Sequence, residues 1–221
     1  MNLKRTCLLL CAAAIGIAAL HGATRAGDAK GFTPLFNGKN LDGWKTVWRD
    51  GDKGDPKTVL TIKDGEIQVS GDPWGYFYTE KSYKNYVIRY SWTYPKNQPE
   101  KTTMNSGLLV HIQEPHKVWP KCVEPQGRYK DHGKIYFPGW AKDDKGMKES
   151  KFDEEAQKKA LKASDQWNTT ETVVKGDGSI AVSINGTPVS TGKTALTSGP
   201  IGFQSEGARI HFKDILIKML D

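Results

Sequence analysis

Cysteine is scarce in this sequence. Three cysteines occur in 221 residues, at positions 7, 11 and 122, and the first two lie in an N-terminal segment with the composition of a removable leader. A mature chain that keeps only Cys122 has no internal disulfide, so its stability must come from core packing. We interpret Cys122 as a buried structural thiol, because unpaired cysteines usually behave as small hydrophobic residues.

The common sequence signatures of catalysis are also missing. The chain has no CxxC, HExxH, GxSxG, P-loop or GxGxxG motif, which argues against motif-bearing hydrolases and nucleotide-dependent enzymes. It also lacks a strand-like run of paired carboxylates of the form Glu-x-Asp-x-x-Glu. This absence argues against an ordinary glucanase, which uses such paired carboxylates.

No strong excess of charge marks the chain. Lysine and arginine number 32 against 25 acidic residues, and removing a leader that contains Lys4, Arg5 and Arg25 leaves 29 against 25, or about +4. The charges are mixed along the chain, and no basic run is interleaved with aromatic residues. A nucleic-acid partner is not expected.

Only the N-terminus carries a long apolar run. Lys4 and Arg5 precede an uncharged apolar segment over residues 7–20, and small residues follow at Ala23-Thr24-Arg25-Ala26. This arrangement predicts a secretory signal peptide over residues 1–26, with export to the periplasm or beyond. Since mean hydropathy is −0.58, no membrane span is expected after its removal, and residues 27–221 are predicted to form a single β-sandwich domain.

Turn residues and two-residue periodicity dominate the rest. The 23 glycines and 11 prolines indicate many turns. Over residues 86–94, large aromatic and aliphatic side chains alternate with Val87, Arg89, Ser91 and Thr93. Tight turns are predicted at Lys63-Asp64-Gly65, Gly176-Asp177-Gly178 and Asn185-Gly186. The pattern predicts an all-β, two-sheet antiparallel jelly-roll sandwich with strands near residues 59–62, 66–70, 86–94, 107–113, 121–126, 167–175, 179–185, 200–204 and 209–220.

Two irregularities interrupt this pattern. Ile210 and Phe212 occupy one parity of the last strand and Ile215, Ile217 and Met219 the other, so a bulge near Lys213-Asp214 is predicted to keep both sets facing the core. Residues 153–163 are rich in Glu, Lys, Ala and Gln and predict one short surface helix. This helix falls in an insertion over residues 137–164, which we expect to form a lid or one wall of a cleft.

Several blocks of sequence then point to a known family. They are Gly31-Phe32-Thr33-Pro34-Leu35-Phe36-Asn37-Gly38-Lys39-Asn40-Leu41-Asp42-Gly43-Trp44, Asn105-Ser106-Gly107, Trp119-Pro120-Lys121-Cys122-Val123-Glu124-Pro125-Gln126, Gly199-Pro200-Ile201-Gly202-Phe203-Gln204-Ser205-Glu206-Gly207 and Phe212-Lys213-Asp214-Ile215. In this order they resemble the 3-keto-disaccharide hydrolase family. The resemblance implies a sandwich like those of concanavalin A-type lectins and glucanases. It also implies exported proteins that act on glycosides already oxidised at carbon 3.

Such a substrate has its own chemistry. A ketone at carbon 3 acidifies the hydrogen on carbon 2, and the oxygen on carbon 1 can then leave by elimination. Water added back to the enone gives net hydrolysis, so the paired carboxylates of ordinary glycosidases are not required. The reaction does require a base of matched pKa, a group that stabilises the enolate and an acid for the leaving oxygen.

The densest polar cluster runs from His111 to Tyr136. If residues 121–126 form a strand, Glu124 and Gln126 share one face with Arg128, while Val123 and Pro125 face the core. We predict Glu124 and His132 as catalytic residues, because Glu-x-Gln matches the family pattern and an imidazole can act as acid, base or ligand near neutral pH. The alternative is a solvated strand face and an exposed loop histidine.

The remaining candidates are assigned to substrate binding. The predicted contacts are Gln126, Arg128, His111, Trp119, Trp140, Lys134 and Tyr136, with Trp74 and Tyr76 as further aromatic platforms. Trp44, Trp92 and Trp167 are better explained by core packing, and His116 and His211 by structural roles. No cofactor is indicated with certainty, but a divalent metal held by Glu124, His111 and His132 stays an alternative. A noncatalytic carbohydrate-binding module, using Trp119 and Trp140 as platforms, is the competing function.

Overall fold

Fifteen strands and two short helices make up the part of the chain that the computed structural model describes, namely residues 30–49, 56–99, 102–142, 144, 146 and 148–221. The predicted signal peptide over residues 1–26 lies outside the described residues. The helices are α1 (Pro56–Val59) and α2 (Glu154–Ala160). The strands are β1 (Thr33–Pro34), β2 (Trp44–Trp48), β3 (Leu60–Lys63), β4 (Glu66–Val69), β5 (Gly75–Thr79), β6 (Tyr86–Thr93), β7 (Leu108–Leu109), β8 (Glu124–Pro125), β9 (Ile135–Tyr136), β10 (Lys148–Phe152), β11 (Asn168–Val174), β12 (Ser179–Ile184), β13 (Thr187–Thr194), β14 (Gly202–Ser205) and β15 (Ile210–Met219).

The strands form a large and a small antiparallel sheet. The large sheet has the order β10-β13-β12-β11-β6-β15-β4-β3, with β1 added beside β15. The small sheet has the order β2-β5-β14-β7. Isolated bridges from Gly107 to Gln126 and from Val110 to Val123 connect it to the β8-β9 pair. Within Gly31–Asp221, which forms one compact unit, this architecture confirms the predicted all-β sandwich.

A shared apolar core joins the two sheets. Strand β6 turns Ile88, Tyr90 and Trp92 inward, since alternate side chains of a strand point to opposite faces. Phe203 of the small sheet meets the Tyr90 ring edge-on at a centroid distance of 5.0 Å and the Phe212 ring at 4.8 Å. Aromatic pairs of this kind contribute about 0.5–1.5 kcal/mol beyond their buried area.

The predicted turns and bulge are present. Asp64-Gly65 and Asn185-Gly186 each have two successive positive φ angles, as two-residue hairpins require. In β15 the register against β6 shifts between Lys213 and Leu216, which brings Ile215 and Ile217 back to the core. Met219 is an exception to the prediction, because it lies at the sheet margin with 55% of its surface exposed.

In its described residues the insertion over residues 137–164 extends the large sheet and lines one side of an open cleft beside β10 and β13. Its β10 pairs with β13 and so becomes the edge strand of the large sheet. Helix α2 is shorter than the predicted helix and begins at the Asp153 N-cap, whose carboxylate accepts a hydrogen bond from Ala156 N. Its buried Gln157 donates to the carbonyls of Tyr129 and Lys130, so this segment is tied to the sandwich. Neither helix in the described residues is long and apolar enough to span a membrane.

Candidate functional site

The outer face of the small sheet, turned away from the large sheet, carries the candidate site. Phe77, Phe203 and Leu108 point into the core, so their strand neighbours point outward. The register places Lys45, Tyr78, Gly202 and Leu109 in one row across four strands. A small second cluster of buried residues lies on this face: Tyr76, Tyr78, Leu109, Ile112 and Cys122.

Glu124 continues this row. The bridges that flank it place Glu124 opposite Leu109, and strand β9 places Tyr136 on its other side. Val123 lies in the core, as the alternation of the sequence predicts. Glu124 and Gln126 therefore share the outer face.

The Glu124 carboxyl group is almost withdrawn from water. The residue is 6% exposed, and burial raises its pKa to about 8, with further increases from the negative charges of Glu206 and Asp131. A hydrogen bond from the Gln204 side chain and the positive charge of Arg128 act in the opposite direction. At neutral pH the group is mostly protonated.

Gly107 makes room for this arrangement. A Cβ atom at this position would lie 2.5 Å from Glu124 Oε1 and 2.2 Å from Gln204 Oε1. Real Cβ atoms do not approach other heavy atoms so closely, so the Glu124 and Gln204 side chains occupy the space that any other residue would need.

Glu206 is a second carboxyl group with a raised pKa, and the sequence analysis did not select it. Burial raises the pKa of Glu206 to about 7, while Arg128 and Arg49 act to lower it. It lies just beyond β14, and alternation from Gly202 through Gln204 would have placed it on the outer face. The two-residue period of Gly202, Gln204 and Glu206 within the Gly-Pro-Ile-Gly-Phe-Gln-Ser-Glu-Gly block could have identified Glu206 from the sequence.

Arg128, Asp131 and Tyr136 form a polar network at the border of the site. Arg128 donates from Nε to Asp131 Oδ1 and from Nη2 to Asp131 Oδ2, both at 2.6 Å, and Tyr136 Oη donates to Asp131 Oδ2 at 2.9 Å. Gln126 Oε1 accepts a hydrogen bond from Arg128 N at 2.8 Å. Burial would raise the pKa of Asp131, but the Arg128 and Tyr136 hydrogen bonds outweigh it and hold the pKa below its usual value. Lys134 lies above the Tyr136 ring, with Nζ 5.3 Å from its centroid.

The predicted aromatic platforms separate into two groups. Trp119 lies edge-on to Trp74 at 6.2 Å, and the Arg49 guanidinium lies 4.2 Å above the Trp74 ring. Because Arg49 also acts on Glu206, this pair borders the carboxyl groups. Trp140 instead donates its indole N–H to Cys122 O at 2.9 Å and receives Lys121 Nζ at 4.2 Å from its ring. Its ring face is already used within the protein.

His132 does not lie beside Glu124, which corrects its predicted placement. Its ring is 1% exposed and stacks on Trp92 of the large sheet at 4.1 Å. Nδ1 lies 3.1 Å from Gly127 O, which can only accept, so Nδ1 carries the proton and Nε2 accepts from Thr170 Oγ1 at 2.7 Å. Burial lowers its pKa to about 4. The side chain is a satisfied neutral histidine of the inter-sheet core.

The predicted metal set is not assembled either. His111 is fully buried in a left-handed backbone conformation, and burial lowers its pKa to about 4. Within the described residues no three His, Cys, Asp or Glu side chains come together as metal ligands. His111, His132 and Glu124 are therefore distributed over different environments.

His116, expected to be structural, anchors a loop across the outer face. Residues 112–122, which we call the strap, pass over the small sheet. The His116 ring stacks on Tyr78 at 4.3 Å, Nδ1 pairs with Tyr76 Oη at 3.0 Å and Nε2 with Glu114 Oε1 at 3.0 Å. The strap thereby buries the middle of the face and fixes the position of Trp119.

The sandwich and its polar outer face define a jelly-roll protein of the carbohydrate-active class. A family described as the 3-keto-alpha-glucoside-1,2-lyase-like domain matches residues 31–218, and the chain belongs to this family. The match confirms the resemblance found in the sequence blocks.

Solved structures agree on the fold. A protein of Parabacteroides distasonis ATCC 8503, provisionally described as a glycosyl hydrolase, is 24% identical with a TM-score of 0.59, over 88% of this chain and 96% of that one. A Bacillus licheniformis β-glucanase is 13% identical with a TM-score of 0.55, over 86% and 97%. The carbohydrate-binding module CBM66 of Bacillus subtilis is 12% identical with a TM-score of 0.51, over 81% and 97%. No match was found among curated proteins.

Proposed function

We propose that this protein cleaves glycosides oxidised at carbon 3 by removing the carbon 2 proton and expelling the carbon 1 oxygen. One observation carries the proposal: Glu124 and Glu206 are electrostatically coupled on the outer face of the small sheet, and burial raises the pKa of both towards neutrality. Acid–base catalysts work best with pKa values near the working pH. The family match supports the choice of substrate.

The different surroundings of the two carboxyl groups assign one as the base and the other as the acid. Glu206, whose pKa is raised by burial but held down by the charges of Arg128 and Arg49, has the lower pKa of the two and acts as the carboxylate that takes the proton from carbon 2. The electron pair of the broken carbon 2–hydrogen bond is held as an enolate with its charge on the carbon 3 oxygen. It then forms the carbon 1–carbon 2 double bond as the bond from carbon 1 to the glycosidic oxygen breaks. Glu124, largely protonated at neutral pH, gives its proton to the departing oxygen.

The charge that develops on the carbon 3 oxygen needs a cation. Arg128 is held in place by two hydrogen bonds to Asp131, with 38% of its side chain exposed. A guanidinium fixed in this way stabilises an enolate without having to reorganise. The products are the free aglycone and an unsaturated keto sugar, which becomes a 3-keto sugar when water adds.

Turnover of a 3-keto-disaccharide and of its unoxidised parent tests the proposal. We expect only the oxidised sugar to be cleaved, and E124Q and E206Q each to lower kcat by about 100-fold. E149Q, on the exposed edge strand β10, is the matched control and should retain full activity. Because one proton must be shared by the pair, the rate should fall below pH about 7 and above pH about 8.

Two results would contradict the proposal. Binding of the oxidised sugar with no turnover by the wild-type protein would favour the carbohydrate-binding alternative. A loss below threefold in both glutamate variants would move the acid and base to other residues.

Export is a separate part of the proposal. Lys4, Arg5, the apolar segment over residues 7–20 and the small residues before Gly27 support a cleaved signal peptide. N-terminal sequencing of the protein recovered from the periplasm or medium should begin at Gly27. Recovery of the chain with Met1 in the cytoplasm would contradict export.

A further inference from the structure

A second cleft opens on the outer face of the small sheet, beyond the strap. Its volume is about 490 Å³, within the usual range for small-molecule sites. It begins in the same row as Glu124 but on strands β2 and β5, three or four inter-strand steps away, or about 14–19 Å. Its lining includes the side chains of Lys45, Tyr78, Glu80, Glu114 and His116.

The strap keeps this cleft apart from the catalytic pair. Tyr76, Leu109 and Cys122 lie between the two regions and are fully buried. A single sugar chain therefore cannot run along the face from one region to the other, and any ligand of the second cleft binds there independently.

The lining chemistry narrows the class of ligand. Lys45 is the permanent cation of the lining and faces two carboxylates, Glu80 and Glu114, so an anionic ligand is disfavoured. The side chains of Lys45 and Glu80 make no hydrogen bond or ion pair within the described part of the chain, which leaves a donor and an acceptor unused. The His116 imidazole, which packs against the buried Tyr78 ring, supplies an aromatic wall. Free donors and acceptors beside aromatic rings suit a neutral polyhydroxylated ring.

We propose that this cleft is a second carbohydrate-binding site, which takes a neutral, unoxidised pyranose. The proposal rests on the carbohydrate-active class to which the protein belongs, and not on the elimination mechanism. Lys45 donates to sugar hydroxyls, Glu80 accepts from them, and the ring lies against the His116 side of the strap. An enzyme with such a site can hold a polysaccharide while the region around Glu124 and Glu206 stays free.

Isothermal titration calorimetry with α-1,4- and β-1,4-linked glucose tetrasaccharides tests the proposal on the full mature chain. We expect one of these probes to bind with a Kd of about 1 mM or lower, and K45A/E80A to weaken binding by at least about tenfold. Both residues are exposed, so the variant should fold. The matched control is K193A/E149A, which removes the same pair of charges from a different open cleft beside β10 and β13.

The second-site and catalytic proposals fail in distinguishable ways. K45A/E80A should cleave a 3-keto-disaccharide within twofold of the wild-type rate, and E206Q should lose turnover but bind the tetrasaccharide normally. Absence of tetrasaccharide binding, equal binding by K45A/E80A and wild type, or loss of binding in W119A instead would overturn the second site. None of these results bears on whether the wild-type protein cleaves the oxidised sugar.

Discussion

Burial of a single carboxyl group couples the stability of this protein to pH. The pKa of Glu124 is about 8 in the folded chain and 4.5 in the ordinary state, so the folded protein binds this proton more tightly than the unfolded chain. As pH rises from about 4.5 through 8, the unfolded chain releases the proton first, and the folded state loses stability. Glutamine has the same shape as the protonated acid and cannot ionise.

We therefore predict that E124Q is stabilised relative to wild type in a pH-dependent manner. Its melting temperature should equal or fall slightly below that of wild type at pH 5 and exceed it at pH 9. Each kcal/mol gained corresponds to about 2–4 °C for a protein of this size. E149Q should show no such trend. The same difference between E124Q and wild type at both pH values would mean that Glu124 ionises as it does in water.

A second prediction separates a structural role of His132 from a catalytic one. Its replacement by alanine removes two buried hydrogen bonds and the stack on Trp92, so H132A should lose about 2–4 kcal/mol of unfolding free energy in urea. Below the melting temperature its kcat should stay within about threefold of wild type. H211A, which removes a half-buried surface histidine paired with Glu66, should lose less than about 1 kcal/mol. An inactive H132A with normal stability would restore the catalytic role predicted from the sequence.

Strand alternation explains which site residues the sequence could predict. Glu124 and Gln126 follow a two-residue period, so their shared face was predictable, and Arg128 follows in phase with them. His132 comes after a 3₁₀ turn over Tyr129–Asp131, where the two-residue alternation of a strand no longer applies. The turn returns the chain to the inner side, and only the tertiary contacts with Trp92 and Thr170 reveal that position.

At the scale of elements, the β11-β12-β13 meander separates two effects of glycine. Gly178 and Gly186 both have φ angles near +80°. A Cβ atom on Gly186 would meet nothing within 4 Å, whereas one on Gly178 would lie 1.9 Å from Thr194 O. The free energy of unfolding of G186A should therefore fall by only about 1–2 kcal/mol, the cost of a left-handed backbone for alanine. That of G178A should fall clearly further, because strand β13 must shift. Urea unfolding of both variants measures the difference, and equal losses would contradict the steric argument.

Two of the strands that the sequence analysis missed, β5 and β10, have a common physical cause. Strand β5 is buried on both faces, because the strap covers the outer one, so its sequence Gly-Tyr-Phe-Tyr-Thr shows no alternation of apolar and polar residues. Strand β10 is an exposed edge with the sequence Lys-Glu-Ser-Lys-Phe, and charged edge strands resemble loops in composition. In both cases the neighbours in space, which the sequence does not state, decide the structure.

At the scale of the whole molecule, the number of turns and short strands was enough to predict a two-sheet sandwich. The order of the strands was not predictable in the same way. Strand β6 lies between β11 and β15, partners that are about 80 and 125 residues away along the chain. Local periodicity contains no information on such distant pairing. The family resemblance supplied the fold type, and only the assembled structure revealed the burial that raises the pKa of Glu206.

The missing side chain at Gly107 has a consequence for how relatives of this protein can differ. A Cβ atom at position 107 would lie 2.5 Å from Glu124 Oε1, so any substitution of Gly107 has to displace the Glu124 carboxyl group from its present position. We therefore expect relatives to keep this glycine and to differ mainly in the surrounding loops, where Trp74 and Trp119 meet. An alignment of homologues should show an invariant glycine at position 107 and much more variable residues in these loops.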